Sequence, residues 1–163
     1  MRSPLISTRE LAAVLSDPAW FVADCRFELG DPGAGIAAWR AGHVPAAVHV
    51  DLERHLAAPV TPATGRHPLP SPAAFARTLG GIGIGNGTRV ACYDAGSGAF
   101  AARLWWMLRW LGHDDVAVLD GGFKSWTDEG RPVSTDATPS RPPATFVPRP
   151  RPEMVLDTEG VLR

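Results

Sequence analysis

Apolar residues along the chain alternate between helical spacing and short continuous runs. Leu11, Val14 and Leu15 follow a capping box, Ser7-Thr8-Arg9-Glu10, at helical spacing and predict a first helix. Short continuous apolar runs predict buried strands, because a strand covered on both faces has no need of polar positions. Such runs occupy residues 20–23, 47–50, 89–93 and 116–119, and further helices are predicted over 36–41, 72–79, 99–111 and 123–128.

This order of strands and helices predicts an α/β fold in which a parallel β-sheet carries helices on both faces. Four prolines in residues 58–70 predict an irregular loop. Six prolines between positions 139 and 152 predict an extended, semi-stiff segment. We therefore predict one domain over residues 1–135, a Pro-rich interdomain linker over 136–152, and the start of a truncated second domain over 153–163.

Composition narrows the classes of partner. The 163 residues carry a net charge of −1, from 16 basic and 17 acidic side chains, so neither nucleic acid nor an anionic membrane is an expected partner. No apolar run approaches the ~18 residues of a membrane span, and the N-terminus lacks the pattern of a signal peptide. We predict a cytoplasmic protein whose Cys25 and Cys92 are reduced, inert thiols of the strand regions.

The segment Asp94, Ala95, Gly96, Ser97, Gly98 and Ala99 joins a predicted buried strand to the longest predicted helix. Its small residues allow backbone N–H groups to converge beside the start of a helix, which is the geometry of an anion-binding nest. A tight turn that requires small residues explains the same pattern, and both interpretations stay open. Ser97 as a hydrolase nucleophile is disfavoured, because only His113 follows it in the chain.

Other candidate side chains indicate structural roles. His43, His49 and His55 recur every six residues, a period that does not place them on one face of a helix or strand, so no metal site is predicted. The helix predicted over 99–111 carries tryptophans at 105, 106 and 110 and is apolar nearly all round. It is therefore either buried in the core or covered by a second domain.

Three segments resemble the rhodanese family. Residues 42–47 (GHVPAA) resemble the family signature G-H-I-P-G-A, and residues 90–103 resemble its central strand and loop. Residues 119–132 match the family ending L-x-G-G-x-x-x-W-x-x-x-G-x-P. The order and spacing of these segments hold over residues 7–133. The resemblance implies a rhodanese-like parallel sheet with helices on both faces.

The pattern of residues 103–113 is similar to the N-terminal domain of tandem-domain thiosulfate and 3-mercaptopyruvate sulfurtransferases. That family moves sulfane sulfur from thiosulfate or 3-mercaptopyruvate to cyanide or a thiol acceptor through a cysteine persulfide, without a cofactor. Active rhodanese domains carry that cysteine where this chain has Asp94. The resemblance therefore implies a non-catalytic N-terminal domain whose partner is a C-terminal rhodanese domain with the active cysteine.

The resemblance also implies which residues reach the partner's active site. In the mercaptopyruvate enzymes an acid and a histidine of the N-terminal domain do so, and these match the stretch Asp51-Leu52-Glu53 and His67. This chain has Glu53 where the family has aspartate. Polar interdomain surface explains the same residues, and a stand-alone rhodanese-like binding or regulatory module is the rival function. The reading frame beyond Arg163 discriminates between the two functions.

The resemblance leads to one geometric expectation for the loop. If the turn from Asp94 to Ala99 keeps the family's cradle, its N–H groups converge on one point. The Asp94 carboxylate then either accepts those N–H groups or turns toward a neighbouring arginine.

Overall fold

A computed structural model describes residues 3–156 and 158–162. The strands are β1 (Leu5–Ile6), β2 (Trp20–Asp24), β3 (Val48–His49), β4 (Arg89–Tyr93) and β5 (Val116–Leu119). The helices are α1 (Thr8–Val14), α2 (Ala34–Ala41), α3 (Leu52–His55), α4 (Pro72–Gly81), α5 (Ala99–Trp110), α6 (Gly122–Asp128) and α7 (Thr158–Val161), with a 3-10 turn at Pro152–Met154. None of the helices within these ranges could span a bilayer.

The five strands form one sheet in the order β1-β5-β4-β2-β3, and every pairing is parallel. The predicted α/β fold is confirmed. Because the strands are parallel, the carboxyl ends of β2, β3 and β4 lie at one edge of the sheet, where ligand sites of open α/β sheets occur. The loops that follow these strands contain Arg26, Asp51 and Asp94.

The sheet is buried on both faces, as the continuous apolar strands predicted. On one face, Phe21 and Cys92 pack with apolar side chains of α4 and α5. On the other face, Val22 and Tyr93 pack with Leu11 of α1 and Trp126 of α6. The burial of apolar area on both faces supplies the main stabilisation of the fold.

Several element boundaries differ from the prediction. The strand predicted over residues 47–50 is reduced to two residues, because Asp51 already caps α3, a helix that the pattern did not predict. The edge strand β1 was also missed, since two residues are too short for a periodic pattern. Helix α4 continues two residues beyond the predicted end at Leu79. Gly80 serves close packing instead of ending the helix, because a Cβ there would lie 2.5 Å from the carbonyl oxygen of Ala144.

Residues 138–151, here called the strap, run without helix or strand along the domain. The Ala144 N–H donates to the Gly80 carbonyl at 2.9 Å, and the Arg149 N–H donates to the Leu111 carbonyl at 2.9 Å. Phe146 is buried in the core formed with α4 and α5. The proline pattern thus indicated the extended backbone of the strap. The division of the chain into domain, linker and second domain stays a prediction.

Candidate functional site

The loop after β4 closes around the side chain of Asp94. One carboxylate oxygen accepts the N–H groups of Gly96 and Gly98, both at 2.9 Å. The other accepts those of Phe100 and Ala101, at 3.0 and 3.3 Å. Of the two expected arrangements, the structure therefore has the one in which the carboxylate accepts the loop N–H groups. The side chain stands where a bound anion would otherwise lie, at the start of a 12-residue helix.

The backbone conformation of this loop depends on glycine. Gly98 precedes α5 at φ 78°, in the left-handed region that glycine adopts without steric cost, and it offers no side chain to cap the helix. Asp94 supplies the missing cap from four residues earlier. The start of α6 packs against the same loop, where a Cβ on Gly122 would lie 2.7 Å from the Asp94 carbonyl oxygen. The loop is thereby held between two helix starts.

A buried polar network lies beside the loop and was not predicted from the sequence. Asp24, at the end of β2, accepts hydrogen bonds from the Arg26 guanidinium at 2.6–3.0 Å and from the Tyr93 hydroxyl at 2.7 Å. Arg26 also donates to the Gly42 carbonyl at 2.7 Å and lies over the Phe123 ring. Burial and the negative charge of Asp24 raise the pKa of Tyr93 well above its ordinary value. An acidic residue that ends a continuous apolar strand, with arginine two positions later, is the sequence signal that could have revealed the network.

The three residues proposed to reach a partner's active site divide into two roles. Asp51 is buried, and its carboxylate accepts the N–H groups of Glu53 and Arg54 at 2.9 and 2.8 Å, so it caps α3. Glu53 is half-exposed, and its carboxylate lies 3.4 Å from Nε2 of His67. The fold thus brings Glu53 and His67 together, although they are 14 positions apart in the chain. The Asp51 carboxylate is already occupied by the backbone N–H groups at the start of α3.

The Glu53–His67 pair lines an open surface pocket of about 440 Å³. Arg54 and Arg66 line the same pocket, so its walls carry acidic and basic groups side by side. The ring of His67 meets Phe27 edge-on, with 5.9 Å between ring centroids. Phe27 in turn meets Phe100 at 5.6 Å, which links this pair to the start of α5 through packed aromatic rings.

The remaining candidates occupy structural positions. Cys25 and Cys92 are free and fully buried, and burial raises the pKa of both thiols. His113 is buried against Phe146 of the strap, at the opposite end of α5 from Ser97. Trp105 and Trp106 are half-buried and pack against the core. Within residues 3–156 and 158–162, no three His, Cys, Asp or Glu side chains converge into a metal-binding group.

A family model described as a rhodanese-like domain matches residues 7–129. The chain is 44% identical over 155 residues to the "Probable 3-mercaptopyruvate sulfurtransferase" of Pseudomonas aeruginosa. This alignment covers 94% of the chain and 54% of the relative. It is 47% identical over 109 residues to the thiosulfate sulfurtransferase of Bos taurus, with 64% of this chain and 34% of the relative covered. The chain thus spans about a third to a half of the length of these relatives.

Among solved structures, SseA from Escherichia coli, whose title concerns 3-mercaptopyruvate sulfotransferases, superposes with a TM-score of 0.86. That match has 29% identity and covers 99% of this chain and 61% of the other. The 3-mercaptopyruvate sulfurtransferase from Leishmania major superposes with a TM-score of 0.78, at 32% identity over 86% of this chain and 39% of the other. The chain therefore belongs to the rhodanese-like domain family and is homologous to the thiosulfate and 3-mercaptopyruvate sulfurtransferases.

Proposed function

We propose that this chain is the non-catalytic N-terminal domain of a two-domain sulfurtransferase. The observation that carries the proposal is the loop after β4, where Asp94 lies at the position that the family resemblance assigns to the nucleophilic cysteine. A carboxylate cannot hold a sulfane sulfur, and this one already accepts four N–H groups. The loop therefore has no thiolate, and the four N–H groups that Asp94 binds are not free for a substrate anion.

The active cysteine would lie in a C-terminal rhodanese domain. There a thiolate attacks the outer sulfur of thiosulfate, a persulfide forms and sulfite leaves. Attack on the sulfur of 3-mercaptopyruvate breaks its C–S bond and forms the same persulfide; the enolate of pyruvate leaves and takes up the thiol proton to become pyruvate. Cyanide or a thiol then takes the sulfur and returns the thiolate. The names of the relatives at 44% and 47% identity support these two donors.

In this proposal the present domain contributes Glu53 and His67 to the edge of that active site. The support is geometric, because the two side chains meet at an open pocket and the pair has an acid and a proton-carrying ring. Such a pair can take up or release a proton beside a reacting sulfur or carbonyl. Asp51 acts through α3, whose start it caps, and so holds Glu53 in place.

The test is sulfur transfer with and without the second domain. Residues 1–163 are expected to give background thiocyanate from thiosulfate and cyanide, and background pyruvate from 3-mercaptopyruvate and a thiol. The chain extended by its downstream reading frame is expected to turn over. Turnover by residues 1–163 that disappears in Cys25→Ser or Cys92→Ser would contradict the assignment. A stop codon directly after Arg163 would favour the stand-alone binding or regulatory module.

A further inference from the structure

Arg103 of α5 ties the loop that carries His67 to the body of the domain. Its Nε and Nη2 donate to the Leu56 carbonyl at 3.1 and 2.8 Å, and Nη2 also donates to the His67 carbonyl at 2.8 Å. Leu56 and His67 stand at the two ends of the loop that lines the pocket. One side chain thus fixes both ends of a loop with exposed residues throughout its middle.

The partners of Arg103 are unusual for an arginine that is half removed from water. All three bonds go to neutral carbonyl oxygens, whereas partly buried guanidinium groups are ordinarily paired with carboxylates. Burial lowers the pKa of Arg103 from its ordinary value, although the guanidinium stays protonated in any accessible pH range. Among the residues that the structure describes, no ion pair offsets the loss of solvation of Arg103. This indicates that the side chain serves to hold the two carbonyls in place.

His67 needs such a restraint. Its backbone has φ 53°, in the left-handed region, which is sterically unfavourable for a residue with a Cβ. Its side chain is only 13% exposed and is packed edge-on against Phe27. A residue in a strained conformation persists where its surroundings hold it there, and the bond from Arg103 goes to the carbonyl of His67 itself.

We propose that Arg103 is a positioning residue that holds His67 in its left-handed conformation, with the imidazole facing Glu53. This inference rests on the proposed role of the Glu53–His67 pair at a partner's active site. Arg103 acts through the loop backbone, because its Nε and Nη2 donate to the two carbonyls. Lysine has a single nitrogen and cannot hold the two oxygens in the same fork geometry.

The first experiment measures the accessibility of His67 by its rate of modification with diethyl pyrocarbonate, mapped by peptide mass spectrometry. In residues 1–163, Arg103→Gln is expected to raise the rate at His67 about fivefold, with Arg103→Lys in between. The matched control is Arg109→Gln, on the same helix, where the side chain is 29% exposed and pairs with Asp114 away from the loop. Arg109→Gln is expected to leave the modification rate at His67 unchanged, even if it lowers the unfolding temperature as much as Arg103→Gln does.

An unchanged rate at His67 in Arg103→Gln would overturn the inference. Equal increases in Arg103→Gln and Arg109→Gln would also overturn it, because they would indicate general loosening of the domain. The positioning role is supported if both variants lower the unfolding temperature equally and only Arg103→Gln raises the modification rate at His67.

The second experiment uses the chain extended by its downstream reading frame. There Arg103→Gln is expected to lower kcat about as much as His67→Ala, and adding Arg103→Gln to His67→Ala is expected to cause no further loss. A selective rise in His67 modification, together with wild-type kcat in both variants, would support the positioning role and contradict the proposed role of the pair. A loss for His67→Ala but none for Arg103→Gln would overturn the positioning role alone.

Discussion

The segments that follow β3 and β4 begin at the same edge of the sheet, yet their acidic side chains, Glu53 of α3 and Asp94 of the loop, have opposite environments. After β4, Asp94 is 1% exposed and accepts four backbone N–H groups. After β3, the Glu53 side chain is 50% exposed and meets His67 at an open pocket. The first acid completes a backbone turn, whereas the second remains available to another molecule.

The comparison shows which acidic side chain of this rhodanese-like domain is bound by the backbone and which one faces an open pocket. In the loop after β4, four backbone N–H groups converge on one point, and the Asp94 carboxylate occupies that point. Glu53 and His67, by contrast, lie at an open pocket, on α3 and on the loop that Arg103 holds. This distribution supports the proposal that the domain contributes side chains to the active site of a second domain.

The largest effect is expected from Asp94→Asn. An amide retains one oxygen and directs an NH₂ group at the N–H donors that the second oxygen now binds. With about two charge-assisted bonds lost, we expect the free energy of unfolding to fall by about 2–4 kcal/mol, measured by urea denaturation. Asp128→Asn, which alters an exposed pair with Lys124, is the control and is expected to change it by under ~0.5 kcal/mol. Equal losses in both variants would show that the cradle adds nothing.

Asp94→Cys tests the same cradle by its electrostatics. A thiolate beside converging N–H groups and the start of α5 is stabilised, so the pKa of the new thiol is expected to lie at least about one unit below the ordinary ~8.5. Thiolate absorbance reports this group clearly, because burial raises the pKa of Cys25 and Cys92. The wild-type chain, titrated in parallel, supplies the baseline. A pKa at or above ~8.5 would mean that the loop is only a turn.

Glu53→Gln makes the same carboxylate-to-amide change at the open site. Because this carboxylate is half-exposed and its contact with His67 is 3.4 Å long, we expect the free energy of unfolding to change by under ~0.5 kcal/mol. Urea denaturation alongside Asp94→Asn gives the direct comparison. A loss for Glu53→Gln as large as that for Asp94→Asn would abolish the distinction between the two loops.

The smallest effect is expected from His55 of α3, the helix that carries Glu53. The Asp51 N–H donates to Nδ1 of His55 at 2.9 Å, and burial lowers the pKa of His55 from its ordinary value of about 6.5. The unfolded chain therefore takes up this proton at higher pH than the folded chain, so stability is lost as pH falls below about 6.5. Burial lowers the pKa of His113 as well, and its contribution has the same sign.

His55→Asn keeps an acceptor but does not titrate. We expect the variant to lose less stability than the wild type between pH 7.5 and pH 5.5, with the free energy of unfolding measured at each pH. The part of the loss that comes from His113 is expected to remain. An unchanged pH dependence in His55→Asn would contradict the link between this histidine and α3.

Local patterns predicted those parts of the fold whose cause lies within a few residues. Ser7 and Glu10 form the predicted capping box, since both partners lie within one helical turn. The strands β4 and β5 have the predicted bounds, because a short apolar run bounded by turn residues is typical of a strand buried on both faces. The candidate site was predicted as a set of positions on the basis of family resemblance. Which of those positions meet was not predictable from spacing alone.

Contacts between distant segments were decided by tertiary structure. Arg103 meets Leu56 and His67 only because α5 packs beside the loop after α3. Tyr93 reaches Asp24 across 69 positions because β2 and β4 pair in register.

The sequence by itself determined strands β4 and β5, the capping box at Ser7 and the family, because each depends on one or a few short runs of residues. The tertiary structure decided that Asp94 fills its own cradle, that Glu53 meets His67 and that the strap lies on Gly80. Those outcomes depend on how close two remote backbones approach. That distance is set by the packing of whole elements and not by any local pattern.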